Sequence, residues 1–143
     1  MFSQIKLYLV AFFAYVGVDV AYQVAFGMAF MERQWSAAGI DDIKYSDANN
    51  LMFVYMVLFF MIIALANLRL CISPGIETKS VKRAMTNGLL LGVTAYGTLG
   101  LTCGWTIEGF APSIVLAFII EGGTFSLVCS GFTTWFALRK QAT

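Results

Sequence analysis

Four long apolar runs fix the problem this chain has to solve. They cover about residues 7–30, 51–70, 84–103 and 112–138. An α-helix rises about 1.5 Å per residue, so about 20 residues cross the roughly 30 Å of hydrocarbon in a bilayer. Each run meets that length. Hydrophobic residues make up 59% of the chain and charged ones only 12%, against about 25% charged in a soluble domain. A single small domain of 143 residues cannot enclose so much apolar surface in its own interior. The runs are therefore read as membrane spans, and as helices, because lipid offers no partner for an open backbone N–H or C=O. The expected fold is all-α: one integral membrane four-helix bundle, with an outer loop at 31–50 and an inner loop at 71–83.

The connections carry matching punctuation. Ser73, Pro74 and Gly75 read as a stop for the second helix. Ser80 suits the N-cap of the third, and Pro112 the first turn of the fourth, where a missing N–H costs nothing. The first run is too long for the apolar core of a signal peptide and is read as a retained span. Lys6, Arg69, Lys79, Lys82, Arg83, Arg139 and Lys140 sort to one side, and only Arg33 and Lys44 to the other. The positive-inside rule then puts both termini in the cytoplasm or a mitochondrial matrix. The outer loop carries Glu32, Asp41, Asp42 and Asp47, with Trp35 and Tyr45 suited to headgroup level.

Several function classes are disfavoured at once. Net charge is +1, and no basic cluster alternates with aromatics, so nucleic acid is not an expected partner. The chain has no histidine, the commonest ligand for zinc, copper and haem and the commonest general base. Cys71, Cys103 and Cys129 are scattered and read as small buried apolar side chains. No catalytic residue, metal site or cofactor is expected. The expected partners are membrane lipids and other membrane protein subunits. Lys79, Lys82 and Arg83 form a basic rim suited to anionic headgroups.

Lipid tails are as apolar as leucine, so helices in a bilayer associate through small residues and hydrogen bonds. The third run places Gly88, Gly92, Tyr96, Gly100 and Gly104 at every fourth position. The fourth answers with Gly122, Ser126 and Ser130, flanked by Gly123 and Gly131. These two helices are expected to pack tightly. Phe59, Phe60, Met61 and Ile62 in the second are expected to face lipid or a partner. Asn67 and Asn87 lie near the inner ends of the second and third runs, where a bond between them would join an antiparallel hairpin. The threonines of the third run are expected to bond back to their own helix.

Two acids lie inside the spans. Asp19 sits mid-helix, where inserting a charge costs about 3 kcal/mol or more. Tyr15, Tyr22 and Gln23 share its face at helical spacing. Glu121 lies in the outer half of the fourth span, roughly a helix turn from the depth of Asp19, with Thr124 three residues on. The sharper reading is a proton or cation site, formed jointly if the first and fourth helices meet. The plainer one is a hydrogen-bond hub that fixes helix register.

The stretch from Gly88 to Gly123 resembles a family of small four-span bacterial membrane proteins known only as a domain of unknown function. The matching residues are Gly88, Gly92, Ala95, Tyr96, Gly97, Thr98, Leu101 and Thr102, then Gly123, Thr124 and Phe125, with Asp19 at an acidic position of the first span. Tyr22 stands where that family usually has tryptophan. Its Tyr-Asp-Leu-Thr-Asn string reads Leu99-Gly100-Leu101-Thr102-Cys103 here, and its acid and tryptophan of the fourth span are Ile119 and Gly122. The resemblance thus implies a kept fold and a dismantled polar site. Two roles follow as expectations: a non-catalytic accessory subunit of a larger membrane complex, which is favoured, or a small proton- or cation-coupled transporter or intramembrane enzyme using Asp19 and Glu121. A mitochondrial or bacterial inner membrane is the expected location.

Overall fold

The computed structural model describes residues 4–22, 24–25, 50–106 and 112–141. Four helices account for nearly all of them: α1 (Gln4–Tyr22), α2 (Asn50–Asn67), α3 (Val81–Thr106) and α4 (Pro112–Gln141). No strand occurs among the described residues. Gln4–Tyr22, Val57–Glu77 and Pro112–Gln141 are long and apolar enough to cross a bilayer, with mean hydropathies of 1.6, 2.0 and 1.8. The 26 residues of α3 have the length, about 39 Å, but their glycines, threonines and Asn87 lower the hydropathy. The acidic outer loop, including Trp35 and Tyr45, lies outside the described residues, as does Gln23.

The bundle is arranged around α4. Of its membrane window 56% is buried, against 39% for α2 and 17% for α1. Its inward face is small or polar (Gly122, Gly123, Ser126, Ser130, Thr133 and Thr134), while Leu116, Ile120, Val128, Phe132 and Trp135 point outward. A water-soluble helix would show the reverse. This polarity is what a bilayer selects, because there the polar groups need internal partners.

α3 and α4 form the largest interface and run antiparallel: Met85 lies at Gly131, Gly88 at Ser130, Gly92 at Gly122, Gly97 at Ile119 and Gly100 at Phe118. A Cβ on Gly92 would overlap the Gly122 carbonyl oxygen, and one on Gly122 would overlap the Tyr96 ring. The expected seam therefore exists, with one correction. Gly104 is exposed. Four residues turn a helix by about 400°, so the stripe drifts by about 160° between Gly88 and Gly104, and its last member leaves the contact.

α2 does not stop at Ser73-Pro74-Gly75, as the breaker residues suggest. It passes into a π-helical turn (Leu68–Ile72) and continues as helix over Ser73–Glu77. The reason is local. Pro74 has no N–H for the carbonyl four residues back, and its ring would press on it. That carbonyl belongs to Leu70, and the Asn87 side-chain amide donates to it at 3.0 Å. The wider π turn makes room and α3 supplies the missing donor. Asn87 is therefore not paired with Asn67, contrary to the hairpin expectation. Gly75 serves close packing, since a Cβ there would lie 2.6 Å from that of Ala84.

The helix ends at a turn of three residues. Ser80 N–H donates to Gly75 O at 2.8 Å and Lys79 N–H to Ile76 O at 3.1 Å, the paired bonds of a Schellman motif. Lys79 holds the left-handed position, with φ of 50°. Ser80 then caps α3, its hydroxyl accepting from the Arg83 N–H at 3.2 Å. Phe60 is a further correction. It is buried while Met61 and Ile62 are exposed, because Phe60, Ile63, Ala64 and Asn67 share the inward face of α2.

Candidate functional site

The polar interior is built where α1, α2 and α4 meet. Tyr15 of α1 is fully buried, and its hydroxyl donates to Ser126 Oγ at 2.6 Å. The same oxygen accepts from Asn67 Nδ2, also at 2.6 Å. Asn67 reaches the Ser126 carbonyl with its other amide hydrogen at 3.4 Å and accepts from Ser130 Oγ at 2.9 Å. Ser130 also bonds back to the Ser126 carbonyl one turn earlier on its own helix. Its single hydroxyl proton serves these two acceptors in alternation. The bonds thus leave α4 at Ser130, pass through α2 and α1, and return to α4 at Ser126. Cys71 and Cys129 are buried around this clasp, with the Cys71 thiol beside Ser130.

A second layer lies against it. The rings of Tyr22 and Phe125 meet edge to face at 5.3 Å, Phe125 and Tyr96 at 6.5 Å, and Tyr96 and Phe59 at 5.5 Å. One aromatic row therefore takes a member from each of the four helices, in geometries that add about 1 kcal/mol per pair beyond packing. Next to it is Glu121, 8% exposed. Asp19 of α1 is half-buried and lies between Tyr15, which bonds Ser126, and Tyr22, whose ring meets Phe125, so both acids belong to the region where α1 crosses α4.

The expected hub is thus divided. Tyr22 joins Tyr96, expected on the packing stripe, through Phe125 in the aromatic row beside Glu121, while Asp19 lies on α1 between Tyr15 and Tyr22. Tyr15 leaves them for the clasp. Ser126 and Ser130, also assigned to packing, are its hydrogen-bonding members. Asn67 makes an interhelical contact, as expected, but with Tyr15 and Ser130 rather than with Asn87. Thr124, three residues after the buried Glu121, is exposed. Thr102 and Thr106 bond back to the carbonyls four residues earlier, each at 2.8 Å, as expected of threonine in a membrane helix.

The clasp holds helices together but does not conduct protons. A relay needs each member to accept and then release a proton, and the Asn67 amide, in the middle of the chain of bonds, does not exchange readily between its nitrogen and oxygen.

Lys79, Lys82 and Arg83 are all exposed at the turn between α2 and α3. Thr134 of α4 lies at Gly75, so the last turn of α4 sits at this same end. There Arg139 lies 5.3 Å from the Trp135 ring and Lys140 5.9 Å from Phe136. Such pairs belong at a headgroup boundary, with aromatic body in lipid and charge in water.

The model of one family matches residues 4–135, nearly the whole chain; it is described as Predicted membrane protein (DUF2177). The chain belongs to that family. No curated protein and no solved structure matches it. The match spans α1 through most of α4, and so includes the clasp, the glycine seam and the carboxyl pair. Membership makes the protein an integral membrane protein of a family without an assigned activity.

Proposed function

We propose that this member of the family is a non-catalytic accessory subunit, packed through its helices into a larger assembly of a mitochondrial or bacterial inner membrane. The observation that carries the reading is the uneven cover of its helices. Only 17% of the α1 window is buried, yet α1 is fixed by buried hydrogen bonds from Tyr15 and by the Tyr8 hydroxyl on the Met61 carbonyl at 3.2 Å. A helix held so firmly by one edge presents a fixed apolar face, with Ile5, Leu9, Phe13 and Val20 exposed along it. The close α3–α4 seam and the self-contained clasp also favour a rigid packing element over a conduit. On this reading both termini face the cytoplasm or matrix, with the basic end of the bundle.

The test is extraction of the native membrane in mild detergent, with a photo-crosslinking side chain at Phe13. Migration with a large complex and crosslinks to a second polypeptide are expected. Migration alone, with crosslinks to lipid only, refutes the subunit role.

A second reading rests on the carboxyl pair. Asp19 and Glu121 near one another inside the spans suit coupling to a proton or cation. If this reading holds, Asp19→Asn and Glu121→Gln each abolish a proton or sodium flux of the chain in liposomes while the bundle stays folded. Equal flux in wild type, both variants and empty liposomes removes it.

A further inference from the structure

α2 and α3 meet mainly at the C-terminal turns of α2. The helices leave between them a groove of about 300 Å³, lined by Leu70, Asn87, Leu90, Leu91 and Thr94. Its α3 wall is a single helical stripe. Continued one turn toward the start of α3, that stripe reaches Arg83, four residues before Asn87. Across the groove, Arg69 precedes Leu70 and lies about 100° round the helix from it, at the rim rather than in the lining. Both arginines are exposed. Side chains lean toward the N-terminus of their helix, so the Arg83 guanidinium is carried away from the apolar stripe and toward the basic end. From Asn87 to Thr94 the stripe runs about 10 Å along the axis.

We propose that this groove is a binding site for an acidic phospholipid, with one acyl chain along Leu70, Leu90, Leu91 and Thr94 and the headgroup phosphate held by Arg83 and Arg69. The charge balance selects the headgroup. Arg69, Lys79, Lys82, Arg83, Arg139 and Lys140 gather at this end, and Glu77 is the one acid among the described residues there. The planar guanidinium fork matches phosphate oxygens in pairs. Asn87 adds a specific feature. One N–H of its amide donates to the Leu70 carbonyl, which leaves the second N–H and the amide oxygen to meet the polar glycerol and ester region of the lipid above the acyl chain.

The experiment is native mass spectrometry of the full chain, titrated with phosphatidylglycerol or phosphatidylcholine, together with the melting temperature in vesicles of each lipid. Phosphatidylglycerol is expected to bind about tenfold or more tightly than phosphatidylcholine, since each cation near the surface contributes on the order of tenfold or somewhat less. In the double variant Arg69→Gln, Arg83→Gln the preference falls to about twofold. Leu90→Trp fills the groove without altering charge, and it too is expected to remove the bound phosphatidylglycerol. Lys140→Gln, on α4, leaves the preference within about twofold of wild type. The proposal is overturned if Lys140→Gln matches the arginine variant, which means diffuse attraction to the basic end. It is also overturned if Leu90→Trp retains full binding, or if glycerol phosphate without acyl chains competes as well as the lipid.

Discussion

Replacing Gly92 by alanine adds one methyl group to a 143-residue chain, and the structure gives that methyl nowhere to go. The new Cβ would lie 2.5 Å from the Gly122 carbonyl carbon and 2.8 Å from Ser126 Oγ, with the Gly122 carbonyl oxygen inside both distances. Carbon atoms rest about 3.5 Å apart, so α3 and α4 must separate by about 1 Å. The two Gly122 atoms are backbone of a helix, which cannot swing aside as a side chain can. Overpacking of this kind costs about 1–3 kcal/mol. Moving α4 also stretches the clasp, because Ser126 lies one turn from Gly122. The Tyr15–Ser126 bond of 2.6 Å would pass beyond bonding distance, at about 0.6 kcal/mol per interhelical bond in a membrane. Alanine returns up to about 1 kcal/mol through its better helix propensity. The net expectation is a loss of about 1–3 kcal/mol. Gly17→Ala is the internal control, since a Cβ there meets nothing within 4 Å, and it should be neutral or stabilising by up to about 1 kcal/mol. Reversible unfolding of the two variants in mixed detergent micelles measures the difference. Equal stability of Gly92→Ala and Gly17→Ala refutes a backbone contact between α3 and α4.

Further substitutions test the other interactions. Tyr15→Phe keeps the ring but leaves Asn67 Nδ2 and Ser126 Oγ without their shared partner, and should cost about 1–3 kcal/mol in the same unfolding assay; Tyr8→Phe, at a half-exposed position, should cost less than half as much. Asn87→Leu strands the Leu70 carbonyl at the π turn and should destabilise by about 1–3 kcal/mol, with faster hydrogen exchange over residues 68–77. A double variant that also replaces Pro74 by alanine should recover most of the loss, since the restored N–H supplies the missing donor. Lys79→Gly relieves a left-handed backbone that disfavours a side chain and should raise stability by about 0.5–1 kcal/mol; an unchanged or lowered melting temperature would count against the Schellman turn.

What the sequence revealed depended on whether a property belongs to one helix or to two. The spans and the glycine seam are periodic along a single chain segment, and four-residue spacing was enough to pair Gly88 and Gly92 with Ser126 and Ser130. Gly104 shows the limit of that argument, because a period of four outruns the helix and the last member rotates out of contact. Pro74 was misread because breaker rules assume a regular α-helix and a solvent-facing turn. The donor that excuses it comes from Asn87, thirteen residues later in the sequence. Asn67 and Tyr15 are further apart still, and no spacing rule connects them. Asp19 and Glu121 were recognisable individually from the cost of an acid in lipid, whereas their mutual approach depends on where α1 crosses α4.

The clasp has a consequence for biogenesis. Its two serines reside on the helix that is synthesised after the other three, so α1 and α2 enter the membrane with Tyr15 and Asn67 lacking their final acceptors and donors. α3 likewise exposes a bare glycine groove until its counterpart arrives. The nascent bundle therefore stays loose, and visible to membrane proteases, until the ribosome has delivered Ser126 and Ser130.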